Sequence, residues 1–147
     1  MTDLARGRAA TGARTWFVEE PMTGDVDEPR LEHEERDGVT RIWLVVPAAE
    51  RAAEVHLGFA ADGSEQYGSL VADLIAKQGR SPAPDVWLYT PMALDVAERL
   101  EPGRLIYDVM DDLASFRSAP QALVLSQRRA LAEADLVFAG GRSLPRQ

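Results

Sequence analysis

The chain has 147 residues, no cysteine, 46% hydrophobic residues and a formal net charge of -8, the size and composition of one ordinary globular domain. Without cysteine, disulfide scaffolds, thiolate metal sites and cysteine nucleophiles are excluded. The acidic excess disfavours nonspecific attraction to nucleic acid or anionic lipid. It is local, because Glu19 to Asp37 holds nine carboxylates against only Arg30 and Arg36.

Met1 to Arg14 carries Arg6, Arg8 and Arg14 but no apolar core, so it reads as a disordered lead rather than an export signal. The longest apolar runs, Ile42 to Ala49 and Val86 to Tyr89, fall far short of the roughly 20 residues of a membrane-spanning helix. A cytoplasmic protein is expected, at most peripheral to the inner face of the membrane. A first strand is predicted at Thr15 to Glu19, then a solvated acidic loop to Asp37, then a second strand at Val39 to Val46. Pro47 to Ala61 is ambiguous between a helical turn and a loop. Tyr67, Leu70, Val71, Leu74 and Ile75 recur at helical spacing and predict a helix over Gly63 to Gln78, ended by Gly79.

The third strand, Asp85 to Tyr89, has no polar alternation across Val86-Trp87-Leu88-Tyr89, as a strand covered on both faces requires. Thr90 and Pro91 read as N-cap and first residue of a short helix to Leu100, stopped before Pro102-Gly103. A fourth strand follows at Arg104 to Tyr107. Ser118 and Gln121 have capping-box spacing, with Pro120 in the first turn of a helix running to about Ala134. Asp135 to Ala139 is the fifth strand.

Strand and helix thus alternate, and the expected fold is α/β: a doubly wound, Rossmann-like, mostly parallel sheet of about five strands with helices on both faces. Ligands of such sheets bind beyond the carboxyl ends of the strands. That rule selects Glu19, Glu20, Thr90, Pro91, Met92, Asp108, Asp111, Asp112, Gly140 and Gly141 as substrate-binding candidates on one rim. Tyr107-Asp108-Val109-Met110-Asp111-Asp112 is the tightest constellation. Crowded carboxylates serve a cation, a hydroxylated ligand or basic donors nearby; alternatively Asp111 or Asp112 caps the following turn and the others are solvated. Asp108, next to the buried strand, is expected to be the least exposed and to accept hydrogen bonds from Thr90 or the Gly140-Gly141 turn. Gly140-Gly141 suits close approach of a phosphate or sugar, or simply ends the strand. His33 and His56 lack a metal-binding spacing, and Trp16, Trp43 and Trp87 fall in strands, where they pack.

Three ordered phrases carry a resemblance: Asp85-Val86-Trp87-Leu88-Tyr89-Thr90-Pro91-Met92, then Tyr107-Asp108-Val109-Met110-Asp111-Asp112-Leu113 with Phe116-Arg117-Ser118-Ala119-Pro120, then Ala134-Asp135-Leu136-Val137-Phe138-Ala139-Gly140-Gly141-Arg142-Ser143. Together with Trp16-Phe17-Val18-Glu19-Glu20-Pro21 they resemble the N-terminal half of bacterial glycosyltransferases with two facing Rossmann-like domains, of the glycogen-synthase-like superfamily. The resemblance covers residues 15 to 144 and implies an acceptor-side domain for transfer of a sugar from a nucleotide-sugar donor to a carbohydrate or lipid-linked acceptor, as in polysaccharide biosynthesis. It implies no tightly bound cofactor; the nucleotide sugar is a cosubstrate of the complete enzyme. Residues 145 to 147 then read as a truncated tail before a donor domain, which could reside on another chain. Alone, such a fragment is expected to be inactive, to expose apolar surface near its C-terminus and to self-associate. No catalytic residue and no metal ligand is assigned. Two alternatives stay open: a magnesium-dependent phosphoryl-transfer or receiver-like domain built on Asp108, Asp111 and Asp112, and a non-enzymatic carbohydrate- or partner-binding module.

Overall fold

A computed structural model describes residues 3–48, 59, 64–78, 83–111 and 113–140. The chain divides into two compact units, Met1–Gly63 and Ser64–Gln147. Both are α/β in character, with parallel strands in open sheets. The expected strands are present, but they are shared between two sheets rather than joined in one.

The first unit opens with helix α1, Asp3–Ala10, where a disordered lead was expected. Its alanines, leucine and arginines favour helix, and Ala5 is buried where α1 contacts the sheet. The amides of Thr11 and Gly12 close the helix on the Arg8 and Ala9 carbonyls at 3.1 and 2.9 Å. The sheet is built on β4, Val39–Pro47, flanked on one side by β1, Thr15–Val18, and then β2, Met22–Gly24, both parallel to it. Between them the Glu19 amide still donates to the Ile42 carbonyl at 2.9 Å. Pro21 has no amide proton to continue the ladder.

On the other side of β4, β3, Arg30–Arg36, runs antiparallel from Arg30↔Val45 to Arg36↔Val39. The acidic segment is therefore not the solvated loop expected from its charge. Two features override that charge. Asp37 and Gly38 take φ of 55° and 75°, as a two-residue type I′ hairpin turn demands, and β3 lies at an edge where its carboxylates reach water. The core of this unit is the β4 set Val39, Ile42, Leu44, Val45 and Val46.

In the second unit, β5, Asp85–Leu88, β6, Arg104–Val109, and β7, Leu136–Ala139, form a parallel sheet in that order. The expectation that these three are neighbours in one parallel sheet is met. Helix α2, Ser64–Lys77, buries Tyr67 and Val71 and packs on α3, Leu94–Glu98. The approach is close at Gly68, where an added Cβ would lie 2.8 Å from Arg99 Cγ and 3.2 Å from Val96 Cα. Before α3, Pro91–Ala93 form a 3-10 turn whose N-cap is Thr90, as its sequence predicts; the Thr90 hydroxyl accepts from the Met92 amide at 3.4 Å.

Helix α4, Gln121–Glu133, starts without the expected Ser118–Gln121 capping box: its N-cap is Pro120, with no side-chain cap bond. Pro120 supplies the extended entry itself, at φ −59° and ψ 145°. The polar tie is made about two turns deeper by Gln127, 6% exposed, whose side-chain oxygen accepts from the Ala114 amide at 3.2 Å. Leu105, Tyr107 and Val109 of β6 form the core with Leu88, Leu94, Ala97 and Ala130, so α3 and α4 lie against the same face of this sheet. Arg129 of α4 joins them at the surface, donating to Asp95 at 2.9 Å and to Glu98.

Candidate functional site

Because β5, β6 and β7 are parallel, their carboxyl ends share one edge of the sheet. Thr90, Pro91 and Met92 follow β5, Met110 and Asp111 follow β6, and Gly140 follows β7. These are the candidates that the topology gathers. Asp112 and Gly141 lie outside the described residues, as does His56. Glu19 and Glu20 end a strand of the other sheet and belong to the first unit.

Each gathered residue has a specific state. Thr90 spends its hydroxyl on the helical cap, Pro91 is buried, and Met92 is half-buried. The Gly140 amide donates to the Val109 carbonyl at 3.3 Å, so it extends the ladder and is not turned to a ligand. Asp108 is half-buried and Asp111 exposed, the order the sequence predicts for these two. Among the described residues the Asp108 carboxylate has no hydrogen-bond partner: of the expected donors, Thr90 caps the following turn and the Gly140 amide bonds to Val109, while Gly141 lies outside the described residues. The reason is the alternation of side chains along a strand. Tyr107 and Val109 face the helices, so Asp108 faces the opposite side, opposite Phe138 in register.

That opposite face is aromatic. Leu136 and Phe138 pair with Ile106 and Asp108, and the Phe138 ring stacks on Trp87, centroids 5.4 Å apart and planes 3° from parallel. The Trp87 indole nitrogen is buried with no partner among the described residues. Trp87 thus packs, as expected, but onto an edge strand that leaves Leu136 48%, Val137 44% and Phe138 48% exposed. An apolar exposed surface near the C-terminus was expected, and β7 provides it. The Asp108 side chain accordingly stands beside a stacked aromatic pair, an arrangement able to take hydroxyl groups at the carboxylate and an apolar ring face at Phe138. Among the described residues no group of three His, Asp or Glu converges as a metal site.

A second polar centre, in the first unit, was not foreseen. Arg41 of β4 donates to Glu19 at 2.6 Å and to Glu34 at 3.0 Å, and its guanidinium lies 5.0 Å from the centre of the Trp43 ring. The hydrogen bond to Glu19, then that to Glu34, hold the guanidinium pKa well above its ordinary value. Arg41 lines a shallow cavity of about 310 Å³ with Arg6, Arg36, Glu19, Glu34 and Asp37. Three cations face three carboxylates there, so the cavity is already neutralised by its own walls. The sequence signal was Arg41 itself, a lone charge inside an otherwise uncharged strand, where partial burial favours partners.

The class defined by fold and site is an α/β protein with a Rossmann-like parallel sheet and a carboxylate–aromatic face. No protein-family model, curated protein or solved structure matches the chain. No helix among the described residues is long and apolar enough to cross a membrane.

Proposed function

We propose that the β5–β7 sheet is the acceptor-side, carbohydrate-binding domain of a glycosyltransferase of the two-domain Rossmann-like kind, acting on a carbohydrate or lipid-linked sugar acceptor. The observation that carries this reading is Asp108: a half-buried carboxylate with no hydrogen-bond partner among the described residues, opposite Phe138, whose ring stacks on Trp87. A carboxylate accepts two sugar hydroxyls in strong, charge-assisted hydrogen bonds, while the aromatic pair takes the apolar face of a pyranose. The same carboxylates, Asp108 and Asp111, repel a diphosphate, so this rim fits the hydroxylated acceptor and not the nucleotide-sugar donor. Donor alignment and stabilisation of the leaving phosphate fall to residues elsewhere, in this chain or a partner chain.

The test is equilibrium binding of neutral oligosaccharides and of nucleotide diphosphate sugars to the whole chain, followed by amide chemical shifts. Oligosaccharide binding that perturbs Asp108 and Phe138, and weakens at least tenfold in Asp108→Asn with the circular dichroism unchanged, is the expected result. Binding of nucleotide sugars alone, or of magnesium alone at Asp108 and Asp111, would overturn it.

A further inference from the structure

Among the described residues, β7 is paired on one side only, to β6. Its outer edge is Leu136-Val137-Phe138-Ala139, four apolar residues with no charge and no proline. The β3 and β7 edges differ in charge. The β3 edge carries Glu32, Glu34, Glu35 and Arg36, charges that block addition of another strand. The carboxylate just before β7 in the chain, Asp135, is turned toward β6: it accepts from the Leu105 amide at 2.8 Å. The β7 strand is therefore uncharged and exposed at Leu136, Val137 and Phe138 within a chain of net charge -8, so a second copy meets no charge of the strand itself there. An uncharged strand is also its own complement, as a two-fold contact requires.

We propose that two copies of this chain join antiparallel through β7, making one six-stranded sheet across a two-fold axis. The register follows from the ladder. The Gly140 amide points at β6, and backbone groups alternate sides along a strand. Phe138 therefore also points at β6, while Val137 and Ala139 present their N–H and C=O groups outward. Centring the axis on Phe138 pairs Val137 with Ala139 of the second copy, and Ala139 with its Val137, using all four outward groups. It sets the two Phe138 rings opposite each other on the open face as a cross-strand aromatic pair. The helix-bearing faces of both copies stay on one side. This inference rests on the β7 edge and not on the carbohydrate reading, so either can fail alone.

The absence of cysteine makes the register directly testable. Phe138→Cys places two thiols across the axis at the roughly 4.5 Å Cα separation of a non-hydrogen-bonded pair, within the range a disulfide spans. Leu136→Cys, on the same face, places them four residues out of register. The expected result under mild oxidation is a cross-linked dimer from Phe138→Cys and none from Leu136→Cys. In the unsubstituted chain, sedimentation equilibrium should show a monomer–dimer equilibrium, and the Val137 and Ala139 amides should gain hydrogen-exchange protection as concentration rises, while Phe138 and Gly140 stay protected throughout. Equal cross-linking of both variants, a monomer at every concentration, or unprotected Val137 and Ala139 amides in a concentrated sample would overturn the proposal. A monomer that gains this protection only on adding another protein would assign the edge to a different partner and overturn it equally.

Discussion

The ring of Phe138 stacks on the indole of Trp87, 5.4 Å between centroids and 3° from parallel, although the two residues sit on strands separated by β6. The pair bridges the sheet across β6, whose Ile106 and Asp108 lie in register with Trp87 and Phe138, and it ties the exposed strand β7 to β5. Aromatic pairs contribute about 0.5 to 1.5 kcal/mol beyond the area they bury. Phe138→Ala should therefore lower stability by about 1 kcal/mol and shift tryptophan emission to the red as water reaches Trp87. Unchanged emission together with an unchanged urea midpoint would show that the stack does not form in solution.

Asp108→Asn should not destabilise the fold. A half-buried carboxylate with no donor among the described residues loses hydration and receives nothing back from them, so the amide should leave the urea midpoint unchanged or raise stability by up to about 1 kcal/mol. A fall of that size would reveal a donor to Asp108. Oligosaccharide binding should fall in the same variant, which separates a ligand role from a structural one.

The β3–β4 hairpin depends on Gly38, at φ 75°. A β-branched residue there is strained whatever the space, and Gly38→Val should cost about 1 to 3 kcal/mol. Asp37→Asn, which keeps a residue tolerant of the left-handed region, should be close to neutral. The ratio of the two effects in urea denaturation checks the turn type: equal losses would mean that the backbone conformation at Gly38 is not the limiting feature.

Glu98 supplies a pH dependence with a defined sign. Loss of hydration, and then its hydrogen bond to Glu133, push its carboxyl pKa up despite the Arg129 guanidinium. A carboxyl whose folded pKa is raised binds its proton more tightly in the native state. Its contribution is complete below the unfolded value of about 4.3 and is lost as pH rises through the folded one. Between about pH 4 and pH 7, the Glu98→Gln variant should thus lose less stability than the parent chain. Parallel stability–pH curves for the two would assign the slope to other groups.

How much was legible in the sequence differs from element to element. The strands at Val86 to Leu88, Arg104 to Tyr107 and Leu136 to Ala139, the Thr90 cap and the helix around Tyr67 were all readable, because each depends on local periodicity or on a side chain within two residues of its partner. The β3 strand was misread from its charge, although Asp37-Gly38 before a branched run is itself a hairpin signal. Helix α1 was missed because its residues favour helix without an apolar stripe to mark it, and its buried contact, Ala5, is one small residue on a helix that meets β1 and β4.

Other features depend on which strands become neighbours, and no window of sequence contains that. Glu19, just after β1, and Glu34, in β3, reach Arg41 from 22 and 7 residues away. The division into two sheets follows from β3 taking the second side of β4, where long-range pairing and not local preference decides. Composition and periodicity determined the α/β class and the parallel order of β5, β6 and β7. Only the tertiary structure decided that, among the described residues, Asp108 faces the aromatic side of the sheet without a donor and β7 keeps an unpaired apolar edge, because both are set by which faces and edges those elements leave uncovered.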